Sequence, residues 1–111
     1  MDFEIESTYD GSSWRVNISG EIDIYNSTDM KTKMAQLMDE HIADVHLDCK
    51  NLEYIDSTGL GALVGVLKHV KGHGKEMHLF NVKANISKLF RITNLDKVFI
   101  IQASDADSKG G

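Results

Sequence analysis

The sequence predicts an α/β domain built on a mixed, mostly parallel β-sheet with interleaved helices and an N-terminal β-hairpin. Three observations carry that prediction. The first twenty residues alternate apolar and polar side chains, three later segments carry apolar residues at helical spacing, and a single short strand-like run follows each of those segments. Strands separated by one helix need crossover connections and lie parallel, whereas two strands joined by a tight turn lie antiparallel.

Taken in order, Phe3, Ile5, Ser7 and Tyr9 alternate with polar partners, and the alternation resumes at Trp14, Val16 and Ile18. Between them Asp10-Gly11 supplies a hairpin turn, because glycine accepts a positive φ at little cost. Beyond Gly20 the short apolar run 22–25 reads as a third strand. Met30, Met34, Leu37 and Met38 then fall at i, i+4, i+7 and i+8, the stripe of a first helix that begins at the N-cap candidates Asn26-Ser27 and runs to about His41. A lone amphipathic stripe must be buried somewhere, so its methionines read as core filler. Val45, Leu47 and Cys49 alternate with His46 and Asp48 in the next strand, and Cys49 shares the apolar face, as a buried, inert thiol does. Leu60, Leu63, Val64, Leu67 and Val70 define a second helix, closed by Lys71-Gly72-His73-Gly74. Met77, Leu79 and Val82 form a strand, Ile86, Leu89 and Phe90 a third helix ending near Asn94, and 98–101 a last strand. The order is βββ-αβ-αβ-αβ.

Composition narrows the function. A chain of 111 residues with 41% apolar and 26% charged side chains has room for one core. Residues 1–102 are read as a single domain, and 103–111, with nothing apolar larger than alanine, as a disordered C-terminal tail. Twelve Lys and Arg against seventeen Asp and Glu give a formal net charge of -5, so the field of the whole molecule repels phosphate backbones and anionic lipid. Nucleic acid and membrane are therefore excluded as partners. One cysteine cannot form an internal disulfide, and the N-terminus lacks a signal-peptide pattern; both fit a cytoplasmic protein.

Cofactor and catalytic motifs fail on spacing. Gly59, Gly61 and Gly65 give G-x-G-x-x-x-G where a dinucleotide-binding turn needs G-x-G-x-x-G, and no phosphate-cradling P-loop run occurs. Gly61 and Gly65, four apart, read instead as close contact between helix and sheet. Ser57 lies in Ile55-Asp56-Ser57-Thr58-Gly59, not in the G-x-S-x-G of a nucleophile elbow. The five histidines include one i, i+4 pair, His69 and His73, but the second lies past the expected helix end and no carboxylate completes a ligand set, so they read as solvated surface residues. No enzyme and no cofactor are expected. What remains is Asp56-Ser57-Thr58-Gly59 at a helix start. Ser57 or Thr58 can cap that helix, and a phosphoryl group added there would meet the positive end of the helix dipole without unfolding anything.

These residues also resemble a known family. Ile55-Asp56-Ser57-Thr58-Gly59-Leu60-Gly61, with Gly20-Glu21-Ile22-Asp23 before the first helix and Lys88-Leu89-Phe90-Arg91-Ile92-Thr93-Asn94-Leu95 in the third, is similar to the STAS-domain anti-sigma factor antagonists over roughly residues 3 to 101. Tyr25-Asn26-Ser27 after Gly-Glu-Ile-Asp resembles the general-stress (sigma-B pathway) subtype more than the sporulation subtype, although the proline that often follows in that subtype is missing. The resemblance implies that Ser57, more than Thr58, is phosphorylated by an anti-sigma factor that is also a serine kinase. Unphosphorylated protein would bind that kinase and free the sigma factor, and a PP2C-type phosphatase would restore it after phosphorylation. It further implies a partner face on Asp23, Asn26, Asp56, Ser57, Thr58 and Gly59, with ATP and Mg²⁺ belonging to the kinase, and a free chain that is monomeric. Two other readings of the chain stay open: a small nucleotide-binding α/β domain using 59–65, and a STAS scaffold subunit of a stress-sensing complex.

Overall fold

The computed structural model describes residues 2–102. Five strands, β1 (Phe3–Tyr9), β2 (Ser13–Ile22), β3 (Asp44–Ile55), β4 (Met77–Phe80) and β5 (Ile100–Ile101), form one sheet in the order β1-β2-β3-β4-β5. β1 pairs with β2 antiparallel and every later pairing is parallel. The helices are α1 (Ser27–Ala35), α2 (Leu37–Glu40), α3 (Ser57–Gly72) and α4 (Ala84–Ile92), with a 3-10 turn at Leu95–Lys97. The α/β class, the hairpin and the mostly parallel sheet therefore stand as read. The expected tail, 103–111, lies outside the described residues.

One hydrophobic cluster holds the layers together. Trp14, Val16 and Ile18 of β2, Val45, Leu47 and Cys49 of β3, and Met77 and Leu79 of β4 point into it, and Met30 and Met34 of α1 with Leu60, Leu63, Val66 and Leu67 of α3 cover them. Each such large side chain contributes about 1.5–3 kcal/mol by leaving water. The methionine stripe is core, as its spacing predicts, and continues through a break at Gln36 to Leu37 and Met38 of α2. Burial pushes the Cys49 thiol up to about 12, with the Asp48 carboxylate adding to the shift, so this cysteine stays a protonated packing residue.

Two differences from the sequence reading shape the site. The run 22–25 is not a third strand: Ile22 ends β2, and Ile24 and Tyr25 are exposed in a turn. β3 continues six residues past Cys49, because the β2–β3 register shifts twice, between the pairs at Asn17/Ser19 and at Gly20/Glu21. Buried β3 residues accordingly fall at 45, 47, 49, 52 and 55, and the spacing stretches from two to three where the shifts occur. Irregularities of this kind re-aim strand ends. Here they bring Ile22 and Ile55 side by side, so the loops leaving β2 and β3 start together.

Candidate functional site

The site is built where β2 and β3 end. In open parallel sheets the carboxyl ends of strands are where loops gather to meet ligands and partners. The backbone N–H of Asp56 donates to the carbonyl of Ile22 at 3.1 Å, which ties the two exits together before either helix begins.

Asp56 then serves both loops. Its Oδ1 accepts from the N–H of Gly59 at 2.8 Å, the N-cap of α3. Its Oδ2 accepts from the N–H of Ile24 at 3.2 Å, across 32 residues of sequence. The expectation that Ser57 or Thr58 caps the helix is thus corrected: Asp56 holds the cap position, and Ser57 and Thr58 are the first two helical residues. Both are exposed, and among the described residues neither hydroxyl has a hydrogen-bond partner. An aspartate precedes the pair and offers a charged acceptor, so it outcompetes a hydroxyl for the cap and leaves the hydroxyls outside.

Residues 23–26 are a turn held at nearly every polar group. Asp23 Oδ1 accepts from the N–H of Tyr25 at 2.9 Å, and the Asp23 carbonyl accepts from the N–H groups of Asn26 and Ser27. The Asn26 side chain does not cap α1, although it stands at the N-cap position. Its Oδ1 instead accepts from the N–H of Asp23 at 2.8 Å and its Nδ2 donates to the carbonyl of Glu21 at 2.8 Å. Asp23 is only 7% exposed and works from inside the turn, whereas the neighbouring Tyr25 is 91% exposed.

Gly59 is the glycine that the packing requires. A Cβ on it would lie 2.7 Å from Ile55 Cγ1 and 2.9 Å from Ile22 Cγ2, so the first turn of α3 sits directly on the two strand ends. Gly61 faces open space, and Gly65 lies under the Lys31 side chain of α1, so neither makes the helix–sheet contact expected of them. All three glycines fall inside α3, not in a loop before it, which removes the geometry a nucleotide-binding turn would need.

The histidines also differ from expectation in part. His41 stacks on Tyr9 at 3.8 Å between ring centroids, and His46 stacks on both His78 and Phe80. Burial, with Arg15 and His78 nearby, pushes the His46 imidazole below its ordinary range. Among the described residues no group of three or more His, Cys, Asp or Glu is placed to hold a metal ion, and no helix is long and apolar enough to cross a membrane.

The structure therefore brings together all six residues named from the sequence, Asp23, Asn26, Asp56, Ser57, Thr58 and Gly59, in two loops joined through one carboxylate. It adds Ile24 and Tyr25, which the sequence reading spent on a strand. The available signal was their position between Asp23 and Asn26, two turn-forming residues.

Known proteins share this fold. The STAS domain family model matches residues 7–108. The chain is 35% identical to the anti-sigma-B factor antagonist of Bacillus subtilis (strain 168) over 111 residues, which covers all of this chain and 98% of that one. It is 33% identical to the anti-sigma-B factor antagonist of Staphylococcus aureus (strain NCTC 8325 / PS 47) over 95 residues, 86% of this chain and 88% of that one. Among solved structures, an anti-sigma factor antagonist from Mycobacterium paratuberculosis superimposes with a TM-score of 0.79 at 17% identity, covering 98% of this chain and 92% of that one. The Bacillus anti-sigma factor antagonist SpoIIAA in its unphosphorylated form gives 0.73 at 16% identity, covering 92% and 89%. At these identities the structures speak for the fold, and the two sequence relatives, matched over most of their length, speak for the group. The chain belongs to the STAS-domain family and, within it, to the anti-sigma factor antagonists.

Proposed function

We propose that this chain is a phosphorylation-switched binding module of the general-stress type. Its unphosphorylated form binds an anti-sigma factor that is also a serine kinase and thereby frees a sigma factor. Phosphorylation of Ser57 breaks that complex, and a PP2C-type phosphatase restores binding. The observation that carries this reading is the division of labour at the start of α3: Asp56 holds the helix cap, and the Ser57 hydroxyl has no structural task. A phosphoryl group on Ser57 would add about 1.5 to 2 negative charges at an exposed helix start, where the helix dipole tolerates it. The fold would persist, and the cost would fall on a docked partner through like-charge repulsion and desolvation.

Further support comes from relatives. Two are named anti-sigma-B factor antagonists, and SpoIIAA, which shares the fold, has been solved in both unphosphorylated and phosphorylated forms. Asp23, Asn26, Asp56, Thr58 and Gly59 are assigned to the partner face, mainly through the shape they impose on it. The chain supplies no ATP site of its own; nucleotide and Mg²⁺ come with the kinase. A monomeric, cytoplasmic chain completes the proposal.

The test is affinity for the cognate anti-sigma factor kinase. Wild-type chain and Ser57→Ala are expected to bind alike, and Ser57→Asp to bind far more weakly. Equal binding by all three contradicts a switch at this position.

A further inference from the structure

Tyr25 and Ile24 are, respectively, 91% and 64% exposed, yet every backbone N–H from Ile24 to Ser27 is hydrogen-bonded. The N–H of Ile24 donates to Asp56, that of Tyr25 to Asp23 Oδ1, and those of Asn26 and Ser27 to the Asp23 carbonyl. The Asn26 side chain closes the turn through Asp23 and Glu21. Large apolar side chains in water on a mobile loop would lose affinity to ordering on binding; on a fixed turn that cost is already met.

The surroundings define the partner. Of the carboxylates near the turn, Asp29 and Glu53 pair with Lys33 and Lys83, and those of Asp23 and Asp56 accept backbone N–H groups, so what the turn offers a partner is apolar surface. The turn is held to the residue preceding Ser57 by the hydrogen bond from Ile24 to Asp56. We infer that Tyr25 and Ile24 are the apolar anchors of the docking face, which insert into a hydrophobic pocket on the anti-sigma factor kinase, next to where that partner meets Ser57. This rests on the function proposed above and adds a separation of roles. The anchors supply affinity that does not depend on charge, and Ser57 supplies the charge that switches it.

That separation is measurable through salt. Binding of the full chain to the cognate anti-sigma factor kinase is measured by calorimetry at low and high ionic strength for wild type, Tyr25→Ala, Ile24→Ala and Ser57→Asp. Ile42→Ala and Ile92→Ala, which truncate exposed apolar residues elsewhere, serve as controls. Tyr25→Ala is expected to weaken binding by about tenfold or more, and Ile24→Ala by less, equally at both salt concentrations. The loss from Ser57→Asp is expected to shrink as salt rises, because an exposed charge is screened. Thermal melts establish that each variant is folded. If Tyr25→Ala and Ile24→Ala bind within about twofold of wild type while Ser57→Asp fails to bind, the anchors are refuted and the switch survives. If wild type does not bind, or Ser57→Asp binds like wild type, the functional reading falls and the anchors with it.

Discussion

At the hairpin end of the sheet Asp10 closes a turn; at the opposite end Asp56 opens a helix, and the hydroxyls beside the two carboxylates meet different fates. Asp10 accepts from the N–H groups of Ser12 and Ser13, from both of their hydroxyls, and from Arg15 Nε. The rings nearby are used as well: Tyr9 stacks on His41, and Trp14 Nε1 donates to the His41 carbonyl at 2.9 Å. At the other end Asp56 takes only backbone N–H groups, the Ser57 and Thr58 hydroxyls stay outside, and Ile24 and Tyr25 lie uncovered. A serine just after an aspartate is therefore no signal in itself. What distinguishes Ser57 from Ser12 and Ser13 is that the local hydrogen bonding is complete without its side chain.

The comparison can be broken in several places. The largest effect is expected at Ser57. Ser57→Asp should weaken binding to the anti-sigma factor kinase by about a hundredfold, since like charges brought together at an interface cost several kcal/mol. Its stability should remain within about 0.5 kcal/mol of wild type, because the cap is elsewhere. Chemical denaturation read beside the binding isotherm checks both halves; a destabilised Ser57 variant would mean that the open end is structural after all.

Next in size are the glycines of α3. Gly59→Ala should cost about 1–3 kcal/mol, because its Cβ would press on Ile55 and Ile22. Gly61→Ala, in open space, should stabilise by about 0.4–1 kcal/mol. Denaturant midpoints decide the signs, and equal shifts would contradict the seating of α3 on the strand ends. Asp56→Ala should cost about 0.5–2 kcal/mol as a lost cap, and the Ile24 amide should then exchange with solvent faster, which hydrogen exchange reads directly. Unchanged protection at Ile24 would show that the two loops are not coupled through this carboxylate.

The smallest effect belongs to the closed end. The N–H groups of Ser13 and then Ser12, followed by Arg15, hold the Asp10 carboxyl well below the usual carboxylate range. A folded-state value below the unfolded one contributes stability above that range and loses it as pH falls through it. Asp10→Asn should therefore narrow its stability gap to wild type as the solution is acidified. The gap is modest because the group is exposed and screened. A gap that widens in acid would reverse the assignment.

Much of this was legible in the residues. Alternation and helical spacing locate all three expected helical segments, the first of which breaks at Gln36 into α1 and α2, and four of the five strands, and Asp10-Gly11 marks the hairpin. Sequence pattern and structure part where periodicity itself is broken. The alternation in β3 ends at Cys49 because two register shifts against β2 stretch its inward spacing from two to three, and no single-strand pattern contains its neighbour's register. The false strand at 22–25 has the complementary cause: Ile24 and Tyr25 look like strand residues but are held out by hydrogen bonds to Asp56 and Asp23, one of them 32 positions away. The polar members of the site were named from sequence because their types and positions are local. Their roles were not, since the choice of Asp56 over Ser57 as cap depends on geometry.

The central claim is that Ser57 is free of structural duty and carries the switch. Its most direct test is to incubate the chain with the cognate anti-sigma factor kinase and ATP, locate any added phosphoryl group by mass spectrometry, and measure kinase binding by the modified and unmodified forms. One phosphoryl group on Ser57, an unchanged fold and loss of binding is the predicted result. Modification at another residue, or a phosphorylated chain that binds as tightly as before, would contradict it.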